Sequence, residues 1–209
     1  MRWTVAYLTT GFLAAAGSAQ GLEELHPEGI YTQAPTGMSY PMAVDGFQRV
    51  SITRYKADGT DESAGYVLPT PTKEVSATVY VFRSPDLWSL GSPQSVIDEA
   101  RAHLCEGQFR GIQQEILKAH PDAKLASEGE TGLAQSGANR SGWKASYDLV
   151  NAKYFGRADV ASRSEVYLFC FAGGKWSVEY RIDYPAQYDA GADIAQFMRD
   201  LTWTIPPEK

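Results

Sequence analysis

Cysteine is scarce in this sequence: Cys105 and Cys170 are the only two among 209 residues. They form no C-x-x-C pair, which excludes a thioredoxin-type dithiol and a zinc knuckle. Histidine is nearly as scarce, with His26, His103 and His120 the only three. None stands at ligand spacing from a cysteine or another histidine. His103 and Cys105 are two positions apart, about 200° around a helix, so they cannot share an ion. No apolar run reaches the roughly 20 residues a membrane-crossing helix needs. Basic clusters are missing too, and 25 acids against 19 bases give a net charge of −6. That balance disfavours phosphate backbones and anionic membrane surfaces as partners. Also lacking are a G-x-S-x-G elbow, an H-E-x-x-H helix and a Gly-rich phosphate loop. The acids Asp58, Asp61 and Glu62 lack the spacing of a calcium loop and read as a solvated turn. No catalytic residue, metal or cofactor is therefore expected.

What is present begins with an address. Residues 1–19 carry Arg2, then the apolar stretch 5–16 (VAYLTTGFLAAA), then Gly17, Ser18 and Ala19. Positive start, short apolar run and small-residue end form the pattern of a cleaved secretory signal peptide. A membrane anchor is the rival reading, but twelve residues interrupted by Thr9 and Thr10 are too few. A buried N-terminal helix is another, but the polar QGLEELHPEG that follows offers no amphipathic continuation. No cysteine follows the cleavage site and no Arg-Arg precedes it, so neither a lipid anchor nor twin-arginine export is expected. The product is an exported protein, periplasmic or secreted. Loss of Arg2 leaves 18 bases against 25 acids, a net charge of −7. Export permits a Cys105–Cys170 disulfide, the alternative being two separate buried thiols.

Residues 20–45 hold no helical or strand period and read as an extended lead-in. A single domain is expected over 46–205, followed by a polar tail, 206–209. FQRVSITRY and SAGYVLP flank an Asp58-Gly59 turn as a hairpin. KEVSATVYVF alternates with both faces apolar enough for a central strand. The spacing of Ile97, Ala100, Leu104, Cys105, Phe109, Ile112 and Ile116 predicts one long helix, about 93–119. Ser92 is its expected cap and Pro93 its first turn; the helix phase puts Cys105 on the apolar face. Residues 128–142 read as a loop or irregular hairpin, WKASYDLV as a strand, and 151–164 as ambiguous. SEVYLFCF and WSVEYRIDY flank Gly173-Gly174. A two-residue turn there sets Tyr167 against Tyr180 and Leu168 against Glu179; a three-residue loop slips the pairing by one. Glycine chemistry favours the first. Asp189 is the expected cap of a C-terminal helix, about 190–201, with Ile194, Phe197, Met198 and Leu201 inward. The result is an α+β domain, a largely antiparallel sheet with both helices packed on it.

The most site-like stretch is Glu179, Arg181 and Asp183, alternating charges along one strand face. As an ordinary amphipathic strand this is its solvent side. As a candidate binding surface it would work beside aromatics such as Tyr167 or Trp143, a combination suited to a sugar or peptide.

Strands, one long helix, a strand run ending in WSVEYRIDY and the closing helix ADIAQFMRDLTW give an order that resembles the Mog1/PsbP-like α/β layout. It also resembles small exported bacterial proteins of unknown function. The resemblance covers most of 45–203 through element order, and no functional residue carries over. It implies a partner-binding protein more than an enzyme. The expected function is thus an exported, non-catalytic binding or accessory protein whose partner is an envelope protein. The alternatives are a small secreted hydrolase of cell-wall or extracellular material and a sugar-binding module.

Overall fold

The computed structural model describes residues 22–69, 74–88, 91–135, 138–154 and 157–207, and the leader 1–19 read from the sequence lies outside them. In chain order the elements are β1 Glu23–Leu25, β2 Tyr31–Thr32, β3 Ser39–Tyr40, β4 Ala43–Val44, β5 Phe47–Arg54, β6 Asp61–Pro69, β7 Glu74–Arg83, α1 Gln94–Ala119, β8 Lys124–Gln135, β9 Ala138–Tyr154, β10 Arg157–Ala172, β11 Trp176–Pro185 and α2 Gly191–Asp200. One nine-stranded sheet runs β1-β5-β6-β7-β11-β10-β9-β8, with β4 beside β5. Its pairings are antiparallel. After β7 the chain crosses over through α1 to the far edge, then meanders back through β8, β9 and β10 until β11 closes against β7. The architecture is a mixed α+β fold dominated by its antiparallel sheet.

Strand alternation divides the apolar residues between two faces. In β10, Tyr167 and Phe169 join one core while Val166 and Leu168 join the other. The larger core lies under α2, where Phe197 meets Phe47, Tyr66 and Tyr180 at ring separations of 4.5, 5.3 and 6.4 Å. Full burial of such a ring contributes about 2–3 kcal/mol. The smaller core lies under α1, where Cys105, Phe109, Ile112 and Ile116 cover Ala145, Tyr147, Val166 and Leu168. Cys105 and Cys170 form a disulfide that joins α1 to β10 with 5.7 Å between their Cα atoms. Among the described residues no helix is long and apolar enough to cross a membrane.

Several local readings are corrected. Ser92 does not cap α1: Pro93 occupies that position, with no side-chain hydrogen bond. Ile97, Ala100 and Leu104 are only half-buried, so the apolar stripe is covered from Cys105 onward. Of the two readings of 128–142 the hairpin holds and the loop does not: β8 and β9 pair antiparallel through it, Glu128 opposite Ala145 and Gly132 opposite Ser141. β8 is an edge strand with mostly exposed side chains, which is why it lacks an apolar period. The lead-in is woven into the domain: β1 extends the sheet edge, and Met38 and Tyr40 are fully buried. At α2 the cap position is Ala190, and Asp189, one residue earlier, accepts the Gly191 N–H at 3.2 Å.

The β10–β11 hairpin has the register expected of a two-residue turn but not its loop. Its loop has three residues, 173–175, with Ala172 opposite Trp176. A bulge between Phe169 and Ala172, where Phe171 takes φ 57°, absorbs the slip. Tyr167 consequently faces Tyr180 and Leu168 faces Glu179, the register of a two-residue turn.

Candidate functional site

α1 lies over β9 and β10 and leaves the same sheet face open where it continues across β11, β7 and β6. A cleft of about 500 Å³ occupies that step, within the size range of small-ligand sites. Register assembles its floor. Glu179 pairs with Tyr80, Tyr80 with Ser63, and Phe82 with both Asp61 and Ser177, so neighbouring side chains stand in rows across three strands. Tyr55, in the β5–β6 connection, stacks on Tyr80 at 6.0 Å between centroids, and its hydroxyl lies 3.1 Å from Ser63 Oγ. The opposite wall is Gln108, Gly111, Ile112 and Glu115 of α1, an i, i+3, i+4, i+7 stripe beside the buried one. Gly111 keeps that wall low: a Cβ there would meet nothing within 4 Å. Gln108 Oε1 accepts the Ser177 hydroxyl at 2.8 Å, and the disulfide ends one turn away at Cys105.

Charge is unevenly matched in the cleft. Among the described lining residues Asp61, Glu115 and Glu179 are set against one cation, Arg181, while Lys56 acts on Asp61 from outside the lining. Arg181 Nε donates to Glu179 Oε1, and its Nη2 lies 3.8 Å from Glu115 Oε2. Its guanidinium sits 5.1 Å from the centre of the Tyr80 ring. Glu179 is 2% exposed, and its Oε2 receives no hydrogen bond among the described residues. Burial pushes the Glu179 carboxyl above the usual glutamate range; Arg181 opposes this, while Glu115 and Asp61 add to it. Burial likewise raises Asp61, with Lys56 opposing and Asp58 assisting. Burial works against the charge on Arg181, but Glu179, Tyr80 and Glu115 together hold it above the ordinary arginine value. Burial also raises the Tyr80 phenol, which stays neutral.

Of the candidate surface residues, Glu179 and Arg181 line this cleft and Asp183 does not. Asp183 lies further along the same face of β11, opposite Ser76 and Ser164, with its carboxyl raised by burial. The face expected to meet solvent is largely covered at Glu179. The aromatics expected beside it are elsewhere: Tyr167 is in the α2-side core, and Trp143 stacks on Phe109 beneath α1 at 6.0 Å. Tyr55, Tyr80 and Phe82 take their place, together with Asp61 and the α1 stripe. The mixed polar and aromatic alternation of β7 was the available signal.

The acids read as one solvated turn have three separate fates. Asp58 accepts the Thr60 N–H and hydroxyl, Asp61 enters the cleft, and Glu62, 1% exposed, receives Arg54 Nε at 2.7 Å and the Tyr31 hydroxyl at 2.8 Å. A second cavity of about 410 Å³ beside α2 contains Glu165. That carboxylate is saturated by the Tyr167 and Tyr184 hydroxyls and by Lys144 at 3.1 Å, so it serves the fold. His103 is exposed beside Glu99, and no group of His, Cys, Asp or Glu among the described residues is placed to hold a metal. No protein-family model matches this chain, and no curated protein matches it in sequence.

Proposed function

We propose that this chain is an exported, non-catalytic binding or accessory protein that takes its ligand in the cleft between α1 and strands β6, β7 and β11. One observation carries the reading: the cleft gathers aromatic faces and incompletely matched charges on rigid elements, with α1 covalently held to the sheet. Preorganised side chains of this kind reduce the entropy cost of binding. Export is supported by the leader pattern, and a disulfide is compatible with it. The partner is an envelope protein, in keeping with the resemblance in element order to partner-binding proteins. The lining includes no serine, histidine or thiol that could act as a nucleophile or a neutral-pH base.

A hydrolase is the second reading, favoured by the raised Glu179 carboxyl near other carboxylates. Arg181 Nε, bonded to that carboxylate, opposes the rise, and burial exceeds this opposition.

Site-specific photo-cross-linking in the exporting cell tests the proposal. Glu115 and His103 are comparably exposed positions on α1, at 75% and 74%, but only Glu115 lines the cleft. A photoreactive residue at 115 is expected to trap one dominant protein that the same residue at 103 does not. Equal trapping from both positions, or none from 115, overturns the assignment.

A further inference from the structure

We propose that the group received by this cleft is an alkylammonium or guanidinium cation, carried by a lysine or arginine side chain of a basic peptide segment of the partner. The inference rests on the cleft being the binding site and adds the chemistry of what enters it. Arg181 offsets one of the three carboxylates and Lys56 acts on Asp61 from outside the lining, so the lining itself carries two more negative than positive charges when Asp61, Glu115 and Glu179 are ionised. Glu115 is mostly exposed and touches Arg181 only at 3.8 Å. The Asp61 carboxylate, half-buried in the wall, accepts no hydrogen bond among the described residues.

The second, independent observation is Glu179. It is almost wholly buried, and only Oε1 is engaged, by Arg181 Nε. Its Oε2 has no donor, although the residue borders the cleft. That oxygen is reached from the cleft, where a charged N–H of a ligand would supply the donor the protein does not. The walls suit the stem of the same group. Tyr55, Tyr80, Phe82 and Ile112 offer apolar surface for a methylene chain, and the tyrosine faces attract a cation. The chain itself shows the pairing: Arg181 already lies against Tyr80 and Glu179. An anion or a carboxylate-bearing ligand would meet three like charges against one opposite charge and is rejected.

Calorimetric titration of the disulfide-bonded protein lacking residues 1–19 tests this with four probes: a trilysine peptide, the same peptide acetylated at every Nζ, a triglycine peptide and spermidine. Trilysine is expected to bind at least tenfold more tightly than its acetylated form or triglycine, and to weaken as salt is raised. Asp61→Asn and Glu115→Gln are each expected to weaken trilysine three- to tenfold with an unfolding midpoint no lower than that of wild type. Equal binding of the acetylated peptide, or full affinity in both variants, overturns the proposal. Spermidine binding more tightly than trilysine assigns the same cation chemistry to a free polyamine and overturns the peptide source. If position 115 traps a partner but no cationic probe binds, the binding site stands and the cation assignment falls. If neither occurs, both fall.

Discussion

Glu179 is held between burial, which disfavours its charge, and Arg181, which supports it. Burial prevails, so the folded protein keeps the Glu179 proton more tightly than the unfolded chain does. The resulting stabilisation is complete below the ordinary glutamate value of 4.5 and disappears as pH rises through the raised folded value. Urea unfolding of wild type and Glu179→Gln at pH 7, 6 and 5 should therefore show wild type gaining on the variant as pH falls. A stability difference that does not change with pH would contradict the burial argument. Gln135 offers a simpler case. Its Nε2 donates to the Met198 and Leu201 carbonyls at 2.8 and 2.7 Å, and its Oε1 accepts the Trp203 N–H at 2.9 Å. This side chain satisfies carbonyls that the end of α2 leaves open. Gln135→Leu should lower unfolding stability by about 3 kcal/mol, because all three backbone groups lose a buried partner. The charges of Glu179 and Arg181 were legible in the sequence, but the burial of Glu179 was not. Alternation along a strand tells which residues share a face and says nothing of what covers that face.

At the scale of elements, helix phase was the most informative signal. Steps of three and four residues in α1 placed Cys105, Phe109, Ile112 and Ile116 together, and the disulfide joins that face to β10. β8 was legible only as one arm of a loop or irregular hairpin, since an exposed edge strand with Gly129 and Gly132 carries no apolar alternation. The β10–β11 register was legible only as a net result: the three-residue loop and the bulge at Phe171 cancel one another, and neither has a distinctive sequence mark. The bridge spans 65 residues, and closing a loop of that length restricts the unfolded chain by about 4 kcal/mol in the entropy model. The double variant Cys105→Ser, Cys170→Ser should lose stability of that order in urea unfolding and show faster amide exchange in α1. Unchanged exchange around Gln108 and Ile112 would mean that packing alone fixes the cleft wall.

For the whole molecule, the decisive arrangement is one sheet with two unequal coverings. α2 and the lead-in close one face over a large core, whereas α1 covers only the β9–β10 side of the other. The cleft is the step between covered and uncovered sheet, lined where α1 runs past β11, β7 and β6. Its existence depends on α1 crossing over to the far edge, so that β11 returns to lie beside β7. Local sequence patterns do not encode that pairing order, and the association of Asp61, Tyr80 and Glu115 with Glu179 stayed hidden for that reason. The most direct test of the cleft as the binding site is to fill it from its most open position. Gly111→Trp replaces an exposed helical glycine with no atom near its Cβ, so the fold should tolerate it. Partner capture by this variant in the producing cell, measured against wild type at equal abundance, should fall at least tenfold with the unfolding midpoint unchanged. Undiminished capture by the folded Gly111→Trp protein would contradict the account.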